Sequence, residues 1–365
     1  MGCCGSIELP HNPVFTGRAS TVAYEQNPIR MSHTNGSLFS KADYSPPDEP
    51  DWLLSLKQQE EVLWSSIRVL GTQPRCHLSR RSTYVLSDAP RWLSDVPANS
   101  IHAVVTDPPY GIVEYDEKNH AKLRKGRGGV WRIPPSFDGA NRRPVPRFTV
   151  LSKKEVFNLH GFFGAVARAL LKALVPGGHV FVASNPLIST TTFHAFIDSG
   201  FEKRGEVIRL VQTLRGGDRP KGAEQEFPDV TAMPRSCWEP WGVFRKPLEG
   251  TLAENLRTWG TGGLRRISEE EPFKDVILCS PTRRVEKDIA PHPSLKPQRF
   301  MRKLVRAALP LGVGIVYDPF AGSGSTLAAA EAMAYHAIGT DCDRQYFAMA
   351  GRAFQALASL PVNGK

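Results

Sequence analysis

The tetrapeptide DPPY, at Asp107, Pro108, Pro109 and Tyr110, directly follows the apolar run IHAVVT. Each proline has a fixed φ and no backbone N–H, and Pro108 is restricted further because it stands before a second proline. We expect this stiff corner to hold the Asp107 carboxylate and the Pro108 carbonyl as two acceptors that point at one donor. Two acceptors suit a donor with two hydrogens, such as an exocyclic amine.

The exocyclic amine of adenine or cytosine is a poor nucleophile because its lone pair is conjugated with the ring. Acceptors at Asp107 and Pro108 would favour a pyramidal nitrogen and free that lone pair for attack. Tyr110 is predicted to stack on the face of the base. A paired base cannot reach a cleft at a strand end, so the target would have to be flipped out. For DPPY alone, a turn that simply ends a strand is the structural alternative.

A second group of residues lies in DPFAGSGST, where Gly322 and Gly324 separate a predicted strand from a predicted helix. Backbone N–H groups at such a helix start can approach a ligand closely. The third glycine of the dinucleotide-binding fingerprint is absent. Asp318 ends the preceding strand and Asp341 ends the next, where a carboxylate can accept both hydroxyls of a ribose. The pattern predicts a nucleoside-type ligand, although Asp341 could instead cap the following helix, as Asp343 could equally well.

The order DPPY, HPSLKP, DPFAGSGST resembles that of the permuted, beta-class DNA amino-methyltransferases, which methylate adenine at N6 or cytosine at N4. The resemblance spans about Ser82 to Phe354, apart from much of the central segment. It implies an α/β fold with a seven-stranded, mostly parallel sheet and S-adenosyl-L-methionine as cofactor. It implies a catalytic role for Asp107, Pro108, Pro109 and Tyr110, and cofactor contacts from Asp88, Lys296, Asp318, Phe320, Gly322, Ser323, Gly324, Thr326 and Asp341.

Within that set, the resemblance implies the ribose at Asp341, the methionine end near Lys296 and the adenine near Asp88. The family often has Glu at the position of Asp341, and either carboxylate could reach the diol. Adenine N6 is favoured as the target because DPPY is commoner among the adenine enzymes. Three alternatives stay open: a cytosine-N4 DNA methyltransferase, an RNA base methyltransferase, and a DNA-binding protein that has kept the scaffold without catalysis.

Composition along the chain predicts four segments. Residues 1–50 are rich in Ser, Asn, Pro and Gly and are expected to form a disordered arm. Residues 51–201 hold the catalytic half with DPPY, and residues 291–365 hold the cofactor-binding half. Between them, residues 202–290 mix Arg, Trp, Gly and Pro with only short strand-like pieces such as WGVFRK and DVILCS, and are expected to form an inserted target-recognition region.

Basic and aromatic residues of the central segment are candidates for phosphate contact, guanine readout and stacking. The alternative for each is an ordinary surface cation or core tryptophan. The basic segment Lys118–Arg132 is a candidate for closing over a flipped base. The central candidates are Arg204, Arg209, Arg215, Arg219, Lys221, Arg235, Arg265, Arg266, Trp238, Trp241 and Trp259.

The 365-residue chain carries 46 Lys and Arg against 36 acids, a net charge of +10 that suits a polyanionic partner. Double-stranded DNA is the expected partner, with a restriction endonuclease and a second copy of the chain as further possibilities. The six cysteines lack C-x-x-C spacing and the ten histidines form no ligand-spaced cluster, so no metal site is predicted.

The sequence has no apolar run of membrane-spanning length and no apolar signal-peptide core, which predicts a cytoplasmic protein. The opening MGCCGS matches a short lipidation pattern. Such patterns are promiscuous, so no membrane partner is expected, and Met31 is an alternative start.

Overall fold

The computed structural model describes residues 49–70, 74–110, 151–215, 219–220, 222–232, 234, 236–292 and 294–362, with two short strands at 130–131 and 145–146. The predicted arm up to residue 48 and the rest of the basic segment Lys118–Arg132 lie outside this described part.

The described residues form helices and strands in alternation along most of the chain. The helices are α1 (Asp51–Ile67), α2 (Ala89–Asp95), α3 (Lys153–Ala173), α4 (Ser189–Asp198), α5 (Leu252–Trp259), α6 (Arg284–Ile289), α7 (Gln298–Ala308), α8 (Ser325–Ala332) and α9 (Arg344–Ser359). The strands are β1 (Arg75–His77), β2 (Ser82–Leu86), β3 (Ile101–Thr106), β4 (Val130–Trp131), β5 (Val145–Pro146), β6 (Leu174–Ala183), β7 (Glu202–Arg215), β8 (Ser236–Arg245), β9 (Val276–Leu278), β10 (Ile315–Asp318) and β11 (His336–Asp341).

Nine strands form one sheet in the order β1-β2-β11-β10-β3-β6-β8-β7-β9, and β4 pairs with β5 separately. Strands β2, β11, β10, β3 and β6 are parallel, while β8 is antiparallel to both β6 and β7. The predicted α/β fold with a mostly parallel sheet is confirmed. The strand number differs from the expected seven because three-residue strands, β1 and β9, extend the two edges.

Helices cover both faces of the sheet, which explains why its central strands are continuous apolar runs. Along β3, Ala103 and Val105 belong to the core on the side of α7, α8 and α9, whereas Val104 belongs to the core on the side of α2, α3 and α4. All six residues of β3 are buried. No helix among the described residues is both long and apolar enough to cross a membrane.

The segment 202–290 contributes to the central sheet rather than standing apart from it. Strand β7 pairs with β8 from Glu202 opposite Arg245 to Arg215 opposite Ser236. The prediction of only short strand-like pieces here is wrong, because polar residues of the long strand β7 have partners in β8. Glu202, for example, accepts a hydrogen bond from Arg245 Nη2 at 2.6 Å. A target-recognition role for the remaining loops of this segment stays a prediction.

Candidate active site at the ends of the parallel strands

Four carboxylates stand at the carboxyl ends of four neighbouring parallel strands. Asp88 follows β2, Asp341 ends β11, Asp318 ends β10 and Asp107 follows β3, and these strands are adjacent in that order. Ligands of parallel α/β sheets bind outside this edge. The fold therefore gathers along one edge acidic residues that lie more than 200 positions apart in the sequence.

Asp107 is held by two partners. The Tyr110 hydroxyl donates to Asp107 Oδ1 at 3.1 Å, and Lys296 Nζ lies 3.0 Å from Asp107 Oδ2. Lys296 Nζ is also 3.4 Å from the Tyr110 hydroxyl oxygen. Burial raises the pKa of Asp107, and the charge of Lys296 opposes that shift without cancelling it. DPPY and HPSLKP thus meet at one point, and the Tyr110 hydroxyl is directed at Asp107.

A further carboxylate at this point, Glu239 of β8, was missed by the sequence analysis. Its Oε2 lies 3.0 Å from Lys296 Nζ and 3.5 Å from Arg209 Nη1, and its Oε1 accepts from Trp241 Nε1 at 2.7 Å. Burial alone would raise the pKa of Glu239, but the charges of Lys296 and Arg209 bring that pKa below its usual value. The only signal in the sequence was an acid between two tryptophans in WEPW.

Lys296 is positively charged in this environment. Its side chain is only 9% exposed, and burial lowers the pKa of its ammonium. The two carboxylates of Asp107 and Glu239 more than compensate, so that the net shift of the Lys296 pKa is upward. The ammonium bridges the two acids, and its predicted contact with the methionine end of a cofactor stays a prediction.

Asp318 organises the turn that follows β10. It is 3% exposed, and it accepts hydrogen bonds from the hydroxyls of Thr106 and Thr326, both at 2.6 Å, and from Phe320 N at 3.0 Å. Burial raises the pKa of Asp318 to about 6 against the effect of these bonds. Thr326 and Ser323 are buried, with the Ser323 hydroxyl 3.2 Å from that of Ser325. The Thr326 hydroxyl orients Asp318 from within the protein.

The glycine turn is packed closely against its surroundings, so that a side chain on Gly322 would crowd its neighbours. Gly322 and Gly324 have φ of +48° and +79°, which glycine adopts without strain. A Cβ on Gly322 would lie 3.2 Å from His292 Nε2. That buried nitrogen has no hydrogen-bond partner within the described part of the chain. A buried polar atom without a partner beside this glycine turn fits a bound ligand.

The structure separates the roles of Asp341 and Asp343. Asp343 caps α9, its Oδ1 accepting from Gln345 N at 2.6 Å and from Tyr346 N at 3.0 Å. Asp341 instead accepts from Gly322 N at 2.9 Å and from Asp343 N at 2.8 Å. A carboxylate has about four lone-pair sites, so Asp341 keeps acceptor capacity for the hydroxyls of a ribose.

Beside Asp341, a cavity of about 470 Å³ lies between the ends of β2 and β11. This volume falls in the range of small-molecule pockets. Asp88 lines this cavity together with Cys342, the residue after Asp341. This arrangement agrees with a nucleoside ligand that extends from Asp341 toward Asp88 along the ends of the strands. The lining residues are Pro74, Leu86, Ser87, Asp88, Arg91, Cys342 and Arg344.

Comparison with known proteins identifies the family. A family model described as DNA methylase, N6/N4 type, matches residues 237–352. Type II methyltransferase M2.DpnII of Streptococcus pneumoniae is 30% identical over 288 residues, which cover 79% of this chain and 94% of that protein. The chain belongs to the N6/N4 family of DNA methylases. As a member, it is an S-adenosyl-L-methionine-dependent DNA methyltransferase.

Other methylases are similar to this DNA methylase. Type II methyltransferase M.HindIII of Haemophilus influenzae is 27% identical over 279 residues, covering 69% of this chain and 88% of that protein. The solved structure of PvuII DNA methyltransferase, described as cytosine-N4-specific, is 15% identical with a TM-score of 0.49, and the match covers 79% of this chain and 89% of that one.

Two of the predicted DNA-contacting residues of this methylase are buried instead. Trp241 is fully buried and Arg209 is 6% exposed, held by Glu239. For Trp241 the alternative of a core tryptophan is confirmed, and for Arg209 the prediction of phosphate contact is wrong, because both side chains are buried against Phe300 of α7.

Others of the predicted DNA-contacting set have partners within the protein. Arg265 donates to the Tyr335 hydroxyl, and Arg266 donates to the carbonyls of Glu269 and Glu270. Trp238 is half-buried and Trp259 donates to Glu249, while Arg204 and Arg219 are exposed. The side chains of Arg215, Lys221 and Arg235 lie outside the described part.

Replacing the helix cap Asp343 tests the separation of the two acids. Asp343→Ala is expected to lower the free energy of unfolding by about 1 kcal/mol, the usual cost of losing an N-cap side chain. The affinity for S-adenosyl-L-methionine should change less than about threefold, which corresponds to less than 0.7 kcal/mol. Urea unfolding and cofactor titration measure the two quantities, and a loss of affinity without a loss of stability would contradict the assignment.

Proposed function

We propose that this DNA methylase transfers a methyl group to the N6 amine of adenine, in duplex DNA, after flipping the base to the DPPY corner. The observation that carries the proposal is Asp107 at the end of β3, bonded to Tyr110 and Lys296 and separated by one strand from Asp341. A carboxylate at this strand end is suited to accept the hydrogens of an exocyclic amine.

The cofactor supplies a methyl group bound to a positively charged sulfur. Asp107 and the Pro108 carbonyl accept the two amine hydrogens, which frees the lone pair of the nitrogen. The bond from the methyl carbon to sulfur would break as the nitrogen bonds to that carbon, which would leave a neutral thioether and a positive nitrogen. The carboxylate of Asp107 would stabilise the charge on the nitrogen. Asp107 then takes the surplus proton from the nitrogen and passes it to solvent. The raised pKa of Asp107 supports this last step.

For the cofactor, we assign Asp341 to the ribose hydroxyls and the turn at Gly322 and Gly324 to close backbone approach. Asp88 and the adjoining cavity would receive the adenine. Phe320 and Lys296 are assigned to the side nearer the catalytic corner. Because their polar groups already bond within the protein, Asp318, Ser323 and Thr326 are assigned to support the turn.

The order of the parts supports the permuted, beta-class arrangement, since the corner of β3 precedes the cofactor turn of β10 in the chain. The loops of 202–290 would recognise the target sequence. The names of the two relatives describe type II methyltransferases, which supports a restriction endonuclease as a functional partner.

Methyl transfer from labelled cofactor to mixed-sequence duplex DNA and, separately, to RNA tests this function directly. Nucleoside mass analysis is expected to yield N6-methyladenine from DNA. N4-methylcytosine from DNA would instead favour a cytosine-N4 DNA methyltransferase. Label found in RNA alone would favour an RNA base methyltransferase. Retained DNA binding without transfer to either nucleic acid would favour the non-catalytic scaffold.

A further inference from the structure

Four charged side chains form a buried group at the catalytic corner, and only two of them belong to the family motifs. Lys296 and Asp107 come from HPSLKP and DPPY, whereas Glu239 and Arg209 come from β8 and β7. The Asp107 and Glu239 side chains are 15% and 17% exposed, and that of Arg209 is 7% exposed. Two positive and two negative charges therefore balance in a site that is largely shielded from water.

Lys296 is shared equally between the two acids, with 3.0 Å from its Nζ to each carboxylate. Glu239 is itself fixed on both sides, by Trp241 Nε1 at one oxygen and by Arg209 at the other. Trp241 and Arg209 in turn pack on the ring of Phe300 in α7, which begins two residues after Lys296. Glu239 is thus held in place by its own partners and anchors the Lys296 ammonium.

A lysine paired with Asp107 alone would oppose catalysis. The amine that enters the corner becomes positive as it is methylated, so a negative charge on Asp107 is favourable and an uncompensated ammonium is unfavourable. Glu239 compensates the Lys296 charge through its own contact with the ammonium.

We propose that Glu239 is a positioning residue for methyl transfer, which anchors the Lys296 ammonium and balances its charge so that Asp107 can stabilise the developing positive charge. The inference rests on the proposed function for the identity of the reaction. It applies to adenine and cytosine amines alike, because both develop the same charge.

The pH dependence provides a readout that a purely structural role would not move. Asp107 is faced by Lys296 from the loop before α7, Glu239 from β8, Tyr110 from its own corner and Asp318 from β10. The Glu239 charge raises the pKa of Asp107. Removing that charge should therefore lower the Asp107 pKa and move the acid limb of kcat to lower pH.

Glu239→Gln keeps the shape and removes the charge. We expect kcat to fall roughly tenfold to hundredfold, the usual effect of losing one hydrogen bond to a charged group. The acid limb of kcat should shift downward, because the Glu239 charge raises the pKa of Asp107. Glu202→Gln is the matched control, because it removes a paired carboxylate from the same two strands, at Arg245. An unmoved acid limb in Glu239→Gln would overturn the proposal.

A double-mutant cycle asks whether Glu239 acts through Lys296. Adding Glu239→Gln to Lys296→Met should cause little further loss of kcat, because the anchored group is already gone. If the losses of kcat in the two single variants multiply in the double variant, Glu239 acts by a route other than Lys296.

A measurement on the protein without substrate separates this inference from the proposed function. In protein labelled with ¹³C at lysine Cε, the Lys296 resonance is assigned by its absence in Lys296→Met. Glu239→Gln should lower the pKa of Lys296, whereas Glu202→Gln should leave it unchanged. If Glu239→Gln leaves the Lys296 pKa unchanged, the anchoring role is wrong, whether or not the wild-type protein methylates adenine.

Discussion

Asp107→Ala is expected to reduce kcat for methyl transfer at least a thousandfold while cofactor affinity changes less than about threefold. Loss of one preorganised electrostatic partner alone costs about 10²–10³ in kcat. Asp107 also fixes the geometry of the target amine, which adds to the loss. Lys296 stays paired with Glu239 in this variant, so the buried ammonium keeps a counter-charge and the fold should persist.

Single-turnover transfer and cofactor titration on the same preparation measure both quantities. Asp107→Asn is the matched variant, because it keeps the volume and one acceptor oxygen but removes the charge. It should recover only a small part of the lost rate. Retention of more than a tenth of the wild-type kcat in Asp107→Ala would exclude Asp107 as the acceptor.

Asp341→Ala is expected to weaken binding of S-adenosyl-L-methionine at least about 150-fold, which corresponds to about 3 kcal/mol. Charge-assisted hydrogen bonds contribute about 1.5–3 kcal/mol each, and Asp341 is assigned two to the ribose. The substitution also removes the acceptor of Gly322 N, so the glycine turn loses one of its supports. At saturating cofactor, kcat should recover most of its value, since Asp341 does not touch the catalytic corner.

Asp341→Glu is the companion variant, because it keeps the negative charge and introduces the longer side chain that the family often has at this position. Its Kd should lie between those of the wild type and Asp341→Ala, with Asp343→Ala as the neighbouring acid that leaves binding nearly intact. Equal losses of cofactor affinity in Asp107→Ala and Asp341→Ala would contradict the division of roles between the two carboxylates.

Residues of the site that lie within one local pattern could be predicted from the sequence. DPPY and the glycine turn each follow a buried strand directly, so their place at a strand end depends only on neighbours in the chain. The sequence could not decide whether Asp341 or Asp343 caps helix α9. Either acid precedes the helix suitably, and only the backbone path shows that Asp343 reaches the free N–H groups of α9.

Glu239 and Arg209 could not be predicted because their meeting depends on strand register. They lie 30 positions apart, and their side chains come together because β7 and β8 pair antiparallel with these two residues opposite each other. A shift by one residue would turn both to the other face. Sequence composition suggested a separate basic insertion, whereas the long strands of this segment complete the sheet and deliver a carboxylate to Lys296.

The carboxylate of Asp318 has a consequence for how such an enzyme can diverge. Its Oδ1 accepts from Thr106, the residue before Asp107, and from Phe320 N, just before the glycine turn, while its Oδ2 accepts from Thr326 after that turn. The corner assigned to catalysis and the turn assigned to the cofactor are therefore both hydrogen-bonded to a single buried carboxylate. A substitution that reorients the corner would therefore also disturb the glycine turn. New substrate preferences are expected to arise instead in the loops beyond β7 and β8.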